Sequence, residues 1–202
     1  KLGEAFHPAS HLCAAGGDGK ASDWPRGEWF KMVEGRPSGK AKGSARADRI
    51  VSILTRGHGK LRSVAKGVRK TRSRCGGRLG PVSHVDLLMY EGRGELDIVS
   101  QAETIDVFRP LRDDLDRLAR AASLLEAADQ LSLEREANAP LYEMLVGALR
   151  TLAARDAPLV VPGFLLKALA LEGYRPQVES CGACGEAGPL VSWAMEEGGL
   201  RC

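Results

Sequence analysis

The spacing of apolar positions changes near residue 108. Residues 48–106 contain short runs rich in Val, Ile, Leu and Thr that alternate with polar positions, whereas apolar residues from 109 onward recur every three or four positions. A period of two is typical of half-buried strands, and a period near 3.6 is typical of amphipathic helices. The sequence therefore predicts a small β module followed by a helical part.

Four short strands are predicted in the β module. The runs DRIVSILT and KLRSVAKGV flank Arg-Gly-His-Gly, which is a hairpin signal, and Gly92 to Gly94 would turn VSHVDLLMYEG into ELDIVSQAETIDVF. Residues 6–47 are rich in Gly and Ser and show no sustained period of either kind. We expect residues 1–47 to be a mostly irregular N-terminal segment or an insertion.

Three helices are predicted after the strands. The second would run from about Pro140 to Ala154, and the third from Val161 or Pro162 until Gly173 ends it. The first would begin near Arg109 and bury one apolar stripe. That stripe consists of Leu111, Leu115, Leu118, Ala122, Leu125 and Ala128. The predicted domain limits are 1–47, 48–107 and 108–202.

Composition limits the class of protein. The chain has 202 residues, of which 44% are hydrophobic, and this is enough for one or two globular domains. No apolar run approaches the roughly 18–20 residues that cross a bilayer, and no secretory signal begins the chain, so we expect a cytoplasmic protein with no membrane partner. Neither Lys1 nor Cys202 resembles a natural terminus, and we expect a fragment.

Positive charge is concentrated in the β module. Residues 48–106 carry 11 basic and 7 acidic side chains, whereas residues 107–202 carry 10 basic and 14 acidic ones. Between Asp48 and Asp86 there is no acidic residue. Ten cations lie in that interval: Arg49, Arg56, Lys60, Arg62, Lys66, Arg69, Lys70, Arg72, Arg74 and Arg78. Cations that neutralise phosphates release condensed counterions, so nucleic acid is the first hypothesis, and a solvated charged face is the alternative.

Strand alternation would place part of this charge on one surface. Lys60, Arg62 and Lys66 are two or four residues apart and would share one face of a strand, with the later cations in the loop beyond it. A small antiparallel barrel with a basic face is how OB-type proteins follow a nucleic-acid backbone. Because Tyr90 is the only aromatic residue between 48 and 106, we expect backbone contact and little base stacking.

Three late cysteines suggest a metal site. Cys181-Gly-Ala-Cys184 follows the third predicted helix, and Cys202 lies 18 positions after Cys184. A Cys-x-x-Cys turn supplies two ligands of a tetrahedral zinc, and a second pair would complete a zinc ribbon, with the fourth ligand expected beyond Cys202. The alternatives are a redox pair or buried thiols.

No catalytic residues are predicted. Cys75 has no neighbouring base in the sequence, and His58 and His84 are single histidines without a partner at metal spacing. Gly57 to Leu61 lacks the spacing of a phosphate-binding loop. Carboxylates suit the start of a helix, so we interpret the aspartates that open the first predicted helix as helix-start residues, namely Asp113, Asp114 and Asp116.

Three parts of the sequence resemble the bacterial RecO family of DNA repair proteins. They are the stretch DRIVSILTRGHGKLRSVAKGVRKTRSRCGGRL, the later ELDIVSQAETIDVF and the Cys181–Cys184 pair. The resemblance covers about residues 48–202. It implies an N-terminal OB fold, a helical domain and a zinc knuckle, hence an α+β multidomain protein. It further implies a DNA-facing basic strand and loop and zinc ligands at Cys181, Cys184 and Cys202.

The resemblance also implies a role without covalent catalysis. Such proteins bind and anneal DNA and, with RecR, displace single-strand-binding protein so that recombinase loads. The partners implied are single- and double-stranded DNA, RecR and single-strand-binding protein, in a nucleoid-associated location. The DNA-binding candidates are Arg56, Lys60, Arg62, Lys66, Arg69, Lys70, Arg72, Arg74 and Arg78.

The N-terminal residues depart from the family pattern. Family members run a sequence like Lys1 to Ala5 directly into Asp48 to Val51, whereas 42 residues separate the two here. We therefore expect the barrel to be incomplete, because the strand before Lys1 is absent. Two other functions stay open on the residues alone: an RNA-binding or ribosome-associated module, and a zinc-dependent hydrolase.

Overall fold

A computed structural model of the chain describes residues 27–34, 49–65, 82–90 and 96–202. Five strands come first: β1 Gly27–Glu34, β2 Arg49–Thr55, β3 Gly59–Ala65, β4 His84–Tyr90 and β5 Asp97–Asp106. The helices α1 Arg109–Arg112, α2 Leu115–Leu131, α3 Ala139–Ala154 and α4 Val160–Leu171 follow. A short hairpin, β6 Ser192–Ala194 and β7 Gly199–Arg201, lies near the end. The four strands and the second and third helices expected from the sequence are confirmed.

The first five strands pair in the order β1-β2-β3-β5-β4, and β4 pairs in turn with β1. All of these pairs are antiparallel except β3 with β5, where Ser63, Val64 and Ala65 lie opposite Asp97, Ile98 and Val99 in parallel. The expectation of a purely antiparallel barrel is wrong at this pair, because β5 returns antiparallel to β4 into the position between β4 and β3, and it therefore runs parallel to β3. The mixed sheet followed by helices is consistent with an OB-like N-terminal domain and a helical domain.

Strand β1 was not foreseen. It lies in the segment expected to be mostly irregular, yet Phe30 pairs with Leu54 on one side and with His84 on the other. The segment therefore supplies a strand between β2 and β4, at the place where the sequence led us to expect a gap. The turn predicted at Gly92 to Gly94 lies outside the described residues.

Two apolar cores hold the described part together. The strands bury alternate residues that include Ile53, Leu61, Val85 and Leu87, and the helices bury a larger cluster around Leu145. Leu54 on β2 belongs to the helical cluster and is fully buried. The outer side of β2 is therefore covered by the helices, and the strands and helices pack as one unit there.

The first predicted helix is interrupted. Asp113 ends α1, and the Asp114 side chain accepts hydrogen bonds from the backbone N–H groups of Asp116 and Arg117, at 2.9 and 3.1 Å, to cap α2. The helix-start role of Asp114 is confirmed. The break shifts the helical phase, so Leu115 is 80% exposed, whereas Ala121, Leu124, Leu125 and Ala128 are buried. The predicted stripe is wrong at Leu115 and Ala122.

The other helix ends follow their sequence signals. Asn138 caps α3 by accepting a hydrogen bond from the Leu141 N–H at 3.0 Å. Gly173 has φ of +87° after α4, and the Tyr174 N–H donates to the Leu169 carbonyl at 2.8 Å, which is the left-handed glycine ending of a helix. Within the described residues, no helix is long and apolar enough to cross a membrane.

Candidate nucleic-acid interface and cysteine cluster

The outer face of β3 carries the described part of the basic segment. Burial alternates along the strand, so that Leu61 and Ser63 point inward while Lys60, Arg62 and Val64 point outward. Lys60 and Arg62 thus share one face, as the alternation predicts. Arg62 is exposed, and no ion pair involves it in the ranges that the structure describes. It is available to an external anion.

Lys60 is held by the helical part. Its Nζ atom donates to the Asp129 carbonyl at 2.7 Å and lies 3.6 Å from the Asp129 carboxylate, and its side chain is only 18% exposed. Its backbone N–H donates to the Leu133 carbonyl at 3.2 Å, and its carbonyl accepts from the Arg135 N–H at 3.0 Å. The charge of Lys60 is therefore compensated within the protein. Lys60 therefore does not add a free positive charge to the expected basic face.

Arg56 differs from Lys60 in exposure. Its Nε atom lies 2.9 Å from Oε1 of Glu143 on α3, but the two side chains remain 64% and 53% exposed. An exposed ion pair of this kind contributes about 0–1 kcal/mol, so it exchanges readily for another anion. The remaining candidates lie outside the described residues, in the sequence between β3 and β4: Lys66, Arg69, Lys70, Arg72, Arg74 and Arg78.

A loop between α2 and α3 docks on the edge of the β module. Arg135 in this loop lies 3.3 Å from the Asp97 carboxylate, whose side chain is 4% exposed. Gly59 has φ of +68° and sits against the backbone of Glu136. This junction was not predicted from the sequence. One feature of the sequence pointed to this junction: Asp97 occupies an inward-facing position of a strand, and a buried carboxylate needs a cationic partner.

The outer face of the β4–β5 pair carries acidic groups. Asp86 on β4 and Glu103 on β5 are direct cross-strand partners, with Asp86 half-buried and Glu103 exposed. These two neighbouring carboxylates repel an approaching phosphate backbone. Among the residues from 50 to 106 whose side chains the structure describes, the exposed cations are Arg56 in the β2–β3 turn and Arg62 on β3. Positive charge is therefore exposed on the β2–β3 side and negative charge on the β4–β5 pair.

The two histidines have structural surroundings. The His58 backbone N–H donates to Thr55 Oγ1 at 2.8 Å in the β2–β3 turn. His84 is fully buried, and its Nε2 atom lies 2.9 Å from the Tyr142 hydroxyl on α3, which links β4 to the helices. Neither histidine belongs to a cluster of metal-ligating residues in the described ranges.

The three predicted cysteine ligands lie together. The sulfur atoms of Cys181, Cys184 and Cys202 are all within 4.8 Å of one another, and those of Cys184 and Cys202 are 3.8 Å apart. Cys181 is 2% exposed, whereas Cys184 and Cys202 are exposed. Three of the five cysteines thus form one cluster, and Cys13 and Cys75 lie outside the described residues.

Backbone hydrogen bonds shape the cluster. The Gly185 N–H donates to the Cys181 carbonyl at 2.8 Å and closes the Cys-x-x-Cys turn, with Gly185 at φ of +78°. The Gly182 N–H donates to the Leu200 carbonyl at 2.8 Å, which ties this turn to β7. The Cys202 N–H points to the Cys181 sulfur at 3.5 Å. The turn and the hairpin therefore hold the three thiols in place together.

The donor set fits a tetrahedral metal ion. Zinc–sulfur bonds of about 2.3 Å place neighbouring sulfurs of a tetrahedron about 3.8 Å apart, which is the separation of the Cys184 and Cys202 sulfurs. Backbone hydrogen bonds from Cys202, Cys184 and Ala183 lower the pKa of Cys181 from 9.0 to about 6, which favours the thiolate form that metal ions bind. Hydrogen bonds to the other two thiols raise the pKa of Cys202 above 9.0. The three cysteines could hold a metal ion.

A groove of about 670 Å³ lies between α3 and α4. Its apolar lining includes Met144, Ala148, Val160 and Phe164, and Lys167 is at its edge. No sequence signal marked this groove, because it arises from the small residues at the facing positions of two helices.

Comparisons with known families account for most of the described chain. A family model described as Recombination protein O N terminal matches residues 45–108, and one described as Recombination protein O C terminal matches residues 112–202. A protein of Frankia casuarinae named DNA repair protein RecO is 46% identical over 162 residues, which cover 78% of this chain and 66% of that protein. The chain belongs to the RecO family.

Two further RecO proteins support this membership. Those of Thermobifida fusca and Bifidobacterium longum are 42% and 44% identical over 160 residues, covering 77% of this chain in each case. The chain spans 65–66% of the length of these three curated RecO proteins. The resemblance to the RecO family drawn from the motifs is therefore confirmed.

The RecO matches divide at the junction of strands and helices. The N-terminal match begins at residue 45 and takes in β2 to β5, so β1 precedes it. A further model, for a lumazine-binding family, matches residues 1–66 and overlaps the RecO match at its end. The C-terminal RecO match contains α2 to α4 and the cysteine cluster.

Proposed function

We propose that this chain is a DNA-binding member of the RecO family that acts in DNA repair and homologous recombination without catalysing a covalent reaction. The observation that carries the proposal is the acid-free basic segment between Asp48 and Asp86, which begins on the exposed β2–β3 side of the strands. The names of the three relatives support the assignment to DNA repair. They offer no support for the alternative of an RNA-binding or ribosome-associated module.

We further propose that the mixed sheet is an OB-type barrel and that DNA follows its β2–β3 side. Arg62 is the exposed cation on β3, and Arg56 can exchange its exposed partner Glu143 for a phosphate. Lys60 is assigned instead to the junction with α2, because its ammonium is bonded to Asp129. The cations that lie between β3 and β4 in the sequence complete the proposed set: Lys66, Arg69, Lys70, Arg72, Arg74 and Arg78.

Binding of this kind depends on phosphates and not on base sequence. A contact between an arginine and a phosphate fixes position, whereas sequence is read from base edges or base stacking. Between residues 48 and 106 the sequence has one aromatic residue, Tyr90, to offer to bases, and β1 adds Trp29 and Phe30 to the strands. The protein would therefore bind single- and double-stranded DNA with little sequence preference.

Substitutions test the proposed surface. Replacing Arg69, Lys70, Arg72 and Arg74 together by Glu should lower the affinity for single-stranded DNA about equally for oligonucleotides of different sequence, measured by fluorescence anisotropy. Arg62→Glu should have the same effect in smaller degree. The matched control is R150E, since Arg150 is an exposed residue of α3 and not of the strands. Because R62E and R150E change the net charge by the same amount, equal losses in these two variants would mean that only net charge matters, and would refute the assigned surface.

We also propose that Cys181, Cys184 and Cys202 hold a structural zinc ion. The 3.8 Å sulfur separation and the lowered pKa of Cys181 support zinc, which prefers thiolate ligands. A fourth ligand stays a prediction. Metal analysis of protein purified without chelator should find one zinc per chain, and loss of zinc in the Cys184→Ser variant would assign the site. A stoichiometry near zero would refute it.

The partners implied by the family remain proposals. We propose RecR and single-strand-binding protein as protein partners and a cytoplasmic, nucleoid-associated location. We retain the predicted domain limits of 1–47, 48–107 and 108–202 as part of this proposal. Mixing labelled protein with purified RecR, and separately with single-strand-binding protein, would test each partner by a shift in sedimentation. Unchanged sedimentation at micromolar concentrations would remove that partner.

A further inference from the structure

The three cysteines differ in their access to solvent. Cys181 is 2% exposed and its sulfur accepts the Cys202 N–H, whereas Cys184 and Cys202 are exposed. Oxidation of a thiol follows its exposure and its thiolate character. Thiolate character alone would favour Cys181, but its side chain is buried, so a small oxidant in solution reaches Cys184 and Cys202 first.

The two exposed sulfurs are also the close pair. Their separation of 3.8 Å suits two ligands of one zinc ion, and a disulfide requires about 2.05 Å. The sulfurs must approach by about 1.8 Å, which rotation about the side-chain bonds of two exposed cysteines can supply. Metal binding and disulfide formation would therefore use the same two atoms and exclude each other.

Backbone hydrogen bonds already hold together the two segments that carry Cys184 and Cys202. The Cys-x-x-Cys turn is closed by the hydrogen bond from Gly185 to Cys181, and Gly182 donates to Leu200 two residues before Cys202. These bonds lie on either side of the exposed pair and involve neither sulfur. The backbone contacts that bring Cys184 and Cys202 together can thus persist when the sulfurs form a bond.

We propose that Cys184 and Cys202 form a reversible disulfide in the presence of a peroxide, and that this bond and the bound metal are alternative states of the cluster. The thiolate of one cysteine attacks a peroxide oxygen, which gives a sulfenic acid and releases hydroxide or alkoxide. The second thiol then displaces the hydroxyl group as water and forms the S–S bond. Two thiols lose two electrons in total, and the peroxide is reduced.

The consequence for the metal follows from the ligand count. Disulfide formation removes two of the three thiolates, so zinc held by the cluster would be released while Cys181 stays a thiol. The zinc part of this inference rests on the proposed zinc site, whereas the disulfide part rests on the cysteine geometry alone. Neither part depends on DNA binding.

The test is a titration of the full chain with hydrogen peroxide in two forms, metal-free and zinc-loaded. Disulfides are assigned by alkylation and peptide mass mapping, and released zinc is measured with a chromogenic chelator. We expect a Cys184–Cys202 bond in the metal-free protein, an alkylated Cys181, and reversal by dithiothreitol. In the loaded protein we expect one zinc released for each disulfide formed.

Matched variants identify the cysteines that form the bond. A variant with Cys13→Ser and Cys75→Ser should behave like the original chain, and in Cys202→Ser the Cys184 thiol should form no disulfide with any remaining cysteine under the same conditions. A metal-free protein in which Cys184 and Cys202 oxidise only to sulfinic or sulfonic acids, or in which Cys181 takes part in the bond, overturns the disulfide proposal. Failure to load zinc with normal disulfide formation would refute the zinc site and leave the disulfide supported.

Discussion

Replacing Gly59 by alanine should destabilise the protein by separating the strands from the helices. Gly59 begins β3 with φ of +68°, and a Cβ atom there would overlap the backbone of Glu136 in the loop between α2 and α3. That loop is joined to β3 by hydrogen bonds from the Lys60 N–H to the Leu133 carbonyl and from the Arg135 N–H to the Lys60 carbonyl. The overlap is with backbone, so a rotamer change in a side chain cannot relieve it.

The expected magnitude follows from two contributions. A left-handed backbone costs a residue with a Cβ about 1–2 kcal/mol. Displacing the loop would break the two hydrogen bonds to Lys60, each of which contributes about 0.5–1.5 kcal/mol. The loss in the free energy of unfolding of Gly59→Ala should therefore be about 2–5 kcal/mol.

Gly57 in the same turn provides the control. An added Cβ at Gly57 meets nothing within 4 Å, and its φ is not positive, so Gly57→Ala should change stability by less than about 1 kcal/mol. Urea denaturation followed by circular dichroism measures both variants. If the two alanine variants have the same unfolding midpoint, the packing of the loop against Gly59 is wrong.

The other predictions concern α2 and the cysteines. Leu124→Ala should lower the free energy of unfolding by about 2–5 kcal/mol, because it leaves a cavity in the helical core. Leu115→Ala, at an 80% exposed position, should change it by less than about 0.5 kcal/mol, and equal losses in the two variants would mean that the register of α2 is wrong. In metal-free protein, the pH dependence of alkylation should have its midpoint near pH 6 for Cys181 and above pH 9.0 for Cys202, read by peptide mass mapping. Because the pKa of Cys181 is lowered on folding, its contribution to the free energy of unfolding should be present above pH 9 and be lost as the pH falls through 6. Identical alkylation midpoints for Cys181 and Cys202 would contradict the opposite directions of their pKa shifts.

Local sequence signals predicted the elements that depend on local chemistry. The β2–β3 hairpin follows from two alternating runs around Gly57 and Gly59, and the end of α4 follows from Gly173. The grouping of Cys181, Cys184 and Cys202 followed from their spacing, since a Cys-x-x-Cys turn and a later cysteine are the pattern of a metal knuckle. Each of these features needs information from only a few neighbouring residues or from a known spacing.

Features that depend on tertiary contacts could not be predicted in this way. The residues of β1 do not alternate clearly between apolar and polar. The strand is stabilised by pairing with β2 on one side and β4 on the other, which local sequence does not reveal. The stripe on α2 was displaced because the cap at Asp114 restarts the helix after α1. Lys60 could not be separated from Arg62 by sequence, since its partner Asp129 is 69 residues away.

The most direct test of the central claim is the salt dependence of binding to single-stranded DNA. Each phosphate neutralised by a cation should contribute about −0.7 to the slope of log affinity against log salt concentration. Contacts from several cations of the basic segment predict a steep negative slope, and the quadruple variant of Arg69, Lys70, Arg72 and Arg74 to Glu should make it shallower. A slope near zero for the original chain, or the same slope for both proteins, would contradict the proposal that this segment binds DNA through its phosphates.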